Sequence, residues 1–280
     1  RFVRLIRYGL RSLHKKIPEN DTCIQNIAEC LPQYFKKFNH SSMLYLAGII
    51  IQDFGSILIS RGVQLNLMWD HLICHGLELA YPDNKNSENS DLSNTNTNSM
   101  ADIPETIDDL FRLCTRICDN YSEKLMTSDY GKQLFESAIA TTSLSHPEAH
   151  TSGAKFLDEI VYAASRQKSN ENSILCQIVN HYGQEIVSKS LHSVVNLLPS
   201  SLTEEMAELW FEIKCYDKEL FKNWMSQAVN EVMARPENAM KIQNYPELIE
   251  DIEDFLPGVL KRKTKEGINS HILSFIRLFR

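Results

Sequence analysis

Four arginines stand at positions 1, 4, 7 and 11 of the stretch RFVRLIRYGLR, with apolar residues between them. A guanidinium presents a flat fork of donors that grips a phosphate through two parallel hydrogen bonds, which a lysine ammonium cannot do. On a helix turning about 100° per residue, Arg4, Arg7 and Arg11 project at roughly 300°, 240° and 280° from Arg1, a stripe about 60° wide. Arg1 lies to one side of it. Phe2, Leu5, Ile6, Leu10 and Leu13 cover the remainder and include a core-facing surface. Stacked guanidinium groups repel one another unless acids or an anionic ligand lie close. By itself the stripe supports two readings equally. One is a docking strip for a phosphorylated or acidic segment, and the other is a solvated face paired with neighbouring acids. Lys15 and Lys16 extend the positive run without forming a motif.

The other candidates for chemistry read more simply. His71 and His75 in HLICH, and His146 and His150 in HPEAH, have the i, i+4 spacing of metal ligands. Neither pair has the Glu after the first His that a zinc protease of the H-E-x-x-H type needs, so structural or surface roles are expected. Cys114 and Cys118 share a helix face and read as buried small apolar residues. Asp108-Asp109 and Glu204-Glu205 are acidic pairs of the sort usually found on solvated helix faces. No G-x-S-x-G, P-loop or G-x-G-x-x-G occurs, and the chain has only 10 glycines for cradling a phosphate. No nucleophile–base set assembles, so the expectation is a protein that is not an enzyme, with no cofactor and no metal.

Composition narrows the class further. The 280 residues are 43% hydrophobic and 23% charged, a globular balance, with 36 acidic against 29 basic residues and a net charge of −7. That balance argues against general DNA or RNA binding, which needs a basic surface to displace counterions. The arginine stretch therefore runs against the global charge. Seven cysteines, an odd number with no C-x-x-C, indicate neither a disulfide framework nor a zinc ribbon and fit a reducing compartment. The best apolar run, Met43 to Ile51, is too short to span a bilayer, so no membrane insertion is expected. The opening lies mid-helix by pattern and without Met, which reads as the C-terminal part of something longer.

These residues must be positioned by helices, because nearly every apolar run has helical period and none alternates convincingly. The pattern predicts helices over about 2–15, 22–38, 42–54, 61–80, 105–120, 128–143, 147–166, 172–197, 203–215, 217–234, 246–256 and 266–279. Ser145-His-Pro-Glu148 and Ser201-Leu-Thr-Glu204 fit capping boxes. Pro104, Pro147 and Pro246 suit a first helical turn, and Gly55, Pro199 and Pro257 mark ends. Twelve helices joined by short turns make about one hairpin per 45 residues, the period of a HEAT or armadillo solenoid, although no repeated motif is visible. Residues 83–99, DNKNSENSDLSNTNTNS, have no apolar face and read as a flexible insertion between two helices. The expected fold is all-α, a HEAT-repeat α-solenoid of antiparallel helix pairs forming one region over 1–280.

Several stretches resemble, in order, the C-terminal part of nuclear import receptors of the importin-β superfamily. They are SSMLYLAGIIIQDFG (41–55), ETIDDLFRLCTRI (105–117), LPSSLTEEMAELWFEIKCYDKELFKNWM (198–225) and the final HILSFIRLFR. The likeness is to the branch that carries serine/arginine-rich (RS) splicing factors, and it spans the chain apart from 83–99 and a weaker 235–265. A sister branch with other cargo, or a general HEAT-repeat scaffold, is the alternative.

The resemblance implies a set of partners and sites. Its cargo is phosphorylated SR protein, Ran in its GTP form releases that cargo mainly through N-terminal repeats absent here, and nucleoporins are further partners. Localisation would alternate between cytoplasm and nucleus. It also implies that Arg4, Arg7, Arg11 and the preceding Arg1 grip cargo phosphates. Asp108 and Asp109 would accept cargo arginines, with Asp53 at a further matching position, and Tyr45 would contact the cargo chain. Gln52 stands where an acid is expected beside Asp53, which weakens that position as an arginine acceptor. The apolar positions Ile268, Ile272, Phe275, Ile276 and Phe279 favour a helix that caps the solenoid.

Overall fold

The computed structural model describes residues 8–9, 22–82, 96–170 and 172–279. Among them are thirteen α-helices and no strand, as the 3.6-residue period requires. The chain divides into two compact units, residues 1–121 and 122–280.

In the first unit, α1 (Cys23–Phe38) buries Ile24, Ala28, Leu31 and Phe35, one stripe at helical spacing. Burying each large member is worth about 1.5–3 kcal/mol relative to leaving it in water. Asn39 ends α1 in the left-handed region at φ 52°, and its N–H returns to Phe35 O at 2.8 Å. Asn visits that region more readily than most residues, because its short polar side chain bonds locally. α2 (Ser42–Ser60) and α3 (Leu65–Ala80) follow, and α1, α2 and α3 pack mutually. α2 runs beyond Gly55, where an end was expected. Phe54, Gly55 itself and Leu58 are buried, and packing outweighs the glycine's roughly 1 kcal/mol helix penalty. At 19 residues α2 is, contrary to expectation, long and apolar enough to cross a membrane. Ten of its residues are nevertheless buried against neighbouring helices, as in a core helix. Residues 83–95 of the polar stretch lie outside the described residues, and 96–99 open a short helix, α4 (Asn96–Asp102). α5 (Pro104–Met126) begins at a proline and loses helical geometry at Tyr121, φ −137° and ψ 28°, where the two units divide.

The second unit holds α6 (Gly131–Thr141), α7 (Pro147–Arg166), α8 (Ile174–His192), α9 (Thr203–Tyr216), α10 (Lys218–Met233), α11 (Pro236–Asn244), α12 (Leu248–Lys261) and α13 (Lys265–Phe279). α6 to α8 each pack on the next helix and on the one after it, and α9 packs on α10 and on α13. α7, α9 and α13 stack in one layer, and α8, α10 and α12 in the other. Two parallel rows of antiparallel hairpins are the packing of a helical-repeat solenoid, so the all-α repeat expectation holds. The predicted bounds of α7 match, and Pro147 supplies its first turn.

Both predicted capping boxes fail. α7 and α9 start at caps His146 and Leu202, neither with a side-chain cap bond. A 3-10 turn over Ser200–Leu202 carries the chain into α9 instead. The working caps are Ser173, which accepts from Cys176 N, and Asp217, which accepts from Glu219 N and Leu220 N. Pro257 lies inside α12, not at its end. The carbonyl it leaves without a donor belongs to Glu253, and both residues are exposed, so that carbonyl is open to solvent. In α13, Ile268, Ile272, Phe275, Ile276 and Phe279 are all buried, against α9 and α12.

Candidate functional site

Arg1, Arg4, Arg7 and Arg11 lie outside the described residues, as do Lys15 and Lys16. Tyr8 and Gly9, from the same stretch, are helical, and Tyr8 is exposed. The sites assigned to cargo arginines are described in full, and they converge. Tyr45 and Asp53 project from α2, Asp108 and Asp109 from the first turns of α5. Between these two helices the chain places arginines of its own.

Asp108, Arg112 and Arg116 recur every four residues on α5, so they share one face. Arg112 Nε donates to Asp108 Oδ1 at 2.7 Å. The acid is 15% exposed and the arginine 45%, so the ion pair closes from the solvent side. That hydrogen bond and the carboxylate charge raise the guanidinium pKa. Arg116 reaches the other way. Its Nε donates to Gln52 Oε1 at 3.1 Å, and its guanidinium lies over the Tyr45 ring, 5.4 Å from the centroid. A cation so placed gains about 0.5–1 kcal/mol from the ring quadrupole. The path to that position passes Gly48, where a Cβ would stand 2.5 Å from Arg116 Nη1. Gly48 is thus a notch in an apolar helix, cut for a guanidinium. Nη1 is buried without a hydrogen-bond partner, and burial lowers the Arg116 pKa despite the favourable charges of Tyr45, Asp109 and Asp53.

Asp109 sits behind Asp108. Burial raises its pKa to about 6, the charge of Asp108 adds to the rise, and a hydrogen bond from Ser41 with Arg112 and Arg116 opposes it. The arrangement is a surface of both signs: an acid held by an exchangeable arginine, a second acid behind it, and an arginine seated in a groove. Such a surface can exchange ion pairs with a peptide carrying cations and anions in alternation. The sequence reading missed Arg112, Arg116, Gly48 and Ser41. The D-D-x-x-R-x-x-x-R spacing in IDDLFRLCTR was the available signal.

The histidine pairs are structural. His75 Nε2 lies 2.8 Å from Asn39 Oδ1, its Nδ1 lies 3.2 Å from Glu78, and its ring meets the edge of Phe35. His71 bonds Leu67 O within its own helix. His146 occupies the N-cap position of α7 without a side-chain cap bond, and His150 is fully buried, with its pKa lowered chiefly by burial. Among the described residues no three His, Cys, Asp or Glu side chains converge to hold a metal. Cys114 and Cys118 are buried, and burial pushes the Cys114 thiol far above its usual range.

Residues 1–75 match the family model described as the Transportin-3/Importin-13 fourth TPR domain. The match covers the arginine stretch, α1, α2 and most of α3. A TPR domain, like a HEAT repeat, is a stack of antiparallel helix pairs, and the helices described over this span are of that kind.

Proposed function

We propose that this chain is the C-terminal cargo-binding region of a nuclear import receptor of the transportin-3 kind, and that it binds phosphorylated RS segments. The observation that carries the reading is the family match over residues 1–75, which takes in Arg1, Arg4, Arg7 and Arg11 together with Tyr45 and Asp53. Phosphates of the segment pair with the arginine stripe. Its arginines pair with Asp108, Asp109 and Asp53, and its backbone runs by Tyr45. Each charge-assisted contact is worth about 1.5–3 kcal/mol, and two or three of them make binding depend on phosphorylation. On the same reading RanGTP releases the cargo, nucleoporins are transit partners, and the protein shuttles between cytoplasm and nucleus.

The experiment is titration of an arginine–serine repeat peptide into wild type and into Arg4→Ala/Arg7→Ala/Arg11→Ala. Loss of phosphopeptide binding by the variant, with helical content retained, is the expected result. Undiminished binding by the variant defeats the assignment of the stripe. A receptor of the importin-13 kind with other cargo is the second reading. It draws on Gln52, which is neutral where an acid was expected and already engaged by Arg116. It predicts no preference for phosphate.

A further inference from the structure

The Asp108–Arg112 ion pair bears on how such a site selects its peptide, and the inference rests on the reading just given. Asp108 is an acid assigned to a cargo arginine, yet it already holds one. Arg112 bonds it at 2.7 Å from one helical turn away and covers it from outside, being three times as exposed as the acid. Arg116 differs. The Gly48 notch, the Tyr45 ring and Gln52 hold it in place on α2, so it cannot swing without leaving that groove. Arg112 has no notch of that kind: it is 45% exposed, and Tyr45 and Asp109 act on it through charge alone, so it can turn away from Asp108 without leaving a groove.

We propose that Arg112 is a specificity-determining residue: a resident competitor that makes arginine binding at Asp108 conditional on a neighbouring phosphate. An incoming arginine reaches Asp108 only by displacing Arg112. An unphosphorylated segment brings a cation and no anion, so one ion pair replaces another and Arg112 loses its hydrogen-bonded carboxylate, keeping only the more buried Asp109 nearby. A phosphorylated segment brings both partners. Its arginine takes Asp108, the freed Arg112 turns to the phosphate, and two pairs stand where one stood. The exchange needs no new charge in the protein. It penalises arginine-rich peptides that lack phosphate, the competitors an acidic pair would otherwise attract.

The test uses the whole 280-residue chain and a fluorescently labelled arginine–serine octamer, phosphorylated or not, read by anisotropy at fixed ionic strength. Wild type is expected to prefer the phosphopeptide. Arg112→Gln is expected to bind the unphosphorylated peptide about threefold more tightly, the size of a partly exposed ion pair, and the phosphopeptide no more tightly, so the preference narrows. Arg112→Lys, which keeps a competing cation, is expected to hold the wild-type preference. Asp108→Asn, which removes the shared acceptor, is expected to weaken the unphosphorylated peptide instead. If wild type discriminates and Arg112→Gln keeps that preference unchanged while helical by circular dichroism, the inference is overturned and the functional reading stands. If wild type does not discriminate, the functional reading fails and takes the inference with it.

Discussion

Two carboxyls, one in each unit, are held out of water, and their company differs. Asp109 on α5 is pushed up to about 6, first by burial, then by Asp108. Asp158 on α7 is pushed up to about 7, first by burial, then by Glu212, Glu208 and Glu159, with Lys265 opposing. Lys265 opens α13, lies 3.4 Å from Glu212 and is the cation these acids share. Burial disfavours its charge, but Asp158, Glu208 and Glu212 outweigh that and raise its pKa. Its ammonium lies over the Phe211 ring, 6.0 Å from the centroid. That of Lys214, which bonds the Val259 and Arg262 carbonyls at the end of α12, lies over the same ring. In the second unit the cation thus ties α13 to α9 and α7 within their own layer. In the first unit Arg112, the cation bonded to Asp108, is half in solvent and on the same helix as the acid, while Arg116 crosses to α2. The cation paired with the acid fastens helices in one place and remains exchangeable in the other.

The largest effect expected from this contrast is on stability. Lys265→Met keeps much of the apolar stem and removes the charge, leaving Asp158, Glu208 and Glu212 without their cation. It should destabilise the protein by roughly 1–3 kcal/mol, below the 3–5 for a fully buried pair because Lys265 is about one-third exposed. Urea unfolding followed by circular dichroism measures it. An unchanged midpoint would mean that the cluster fastens nothing.

Next come the carboxyls themselves. A folded-state pKa raised above the unfolded value means that the native protein holds the proton more tightly. Stability from that proton is full below about pH 4 and is lost as pH rises, to about 6 for Asp109 and about 7 for Asp158. Asp158→Asn and Asp109→Asn keep the neutral form at every pH. Each should raise stability at pH 7 by roughly 1–2 kcal/mol and flatten its own window in melting temperature against pH. The Asp158 window should extend further toward neutrality. Identical profiles for the two variants would erase the difference between the sites.

A smaller effect is expected at the groove. Gly48→Ala would improve helix propensity by about 1 kcal/mol while its Cβ displaces Arg116 from beside Tyr45. The two terms nearly cancel, so melting temperature should move little while phosphopeptide affinity shifts by about two- to fivefold, the range of one exposed ion pair. A large loss of stability would mean that Arg116 is part of the core and not of the surface.

Much of the fold was legible because burial wrote its period into the residues. Ile24, Ala28, Leu31 and Phe35 give α1 directly, and Pro147 gives the start of α7. α11 was missed for the opposite reason. It buries only Asn238, whose Nδ2 donates to Val232 O at 2.8 Å, so no apolar stripe announces it. Gly55 and Pro257 misled because local preference yields to packing in one case and to solvent in the other. At the site, the acids and Tyr45 were visible as motif positions. Their engagement with Arg112 and Arg116 was not, because it depends on α2 and α5 lying side by side, and a glycine at 48 has no meaning until a guanidinium passes it.

The central claim is that phosphate on an arginine–serine segment decides binding, and one titration meets it directly. The dissociation constants of the phosphorylated and unphosphorylated octamers are compared on wild type at physiological ionic strength. Two charge-assisted contacts predict a preference of at least about a hundredfold for the phosphopeptide, shrinking as salt rises. Equal affinity for the two peptides would contradict the account.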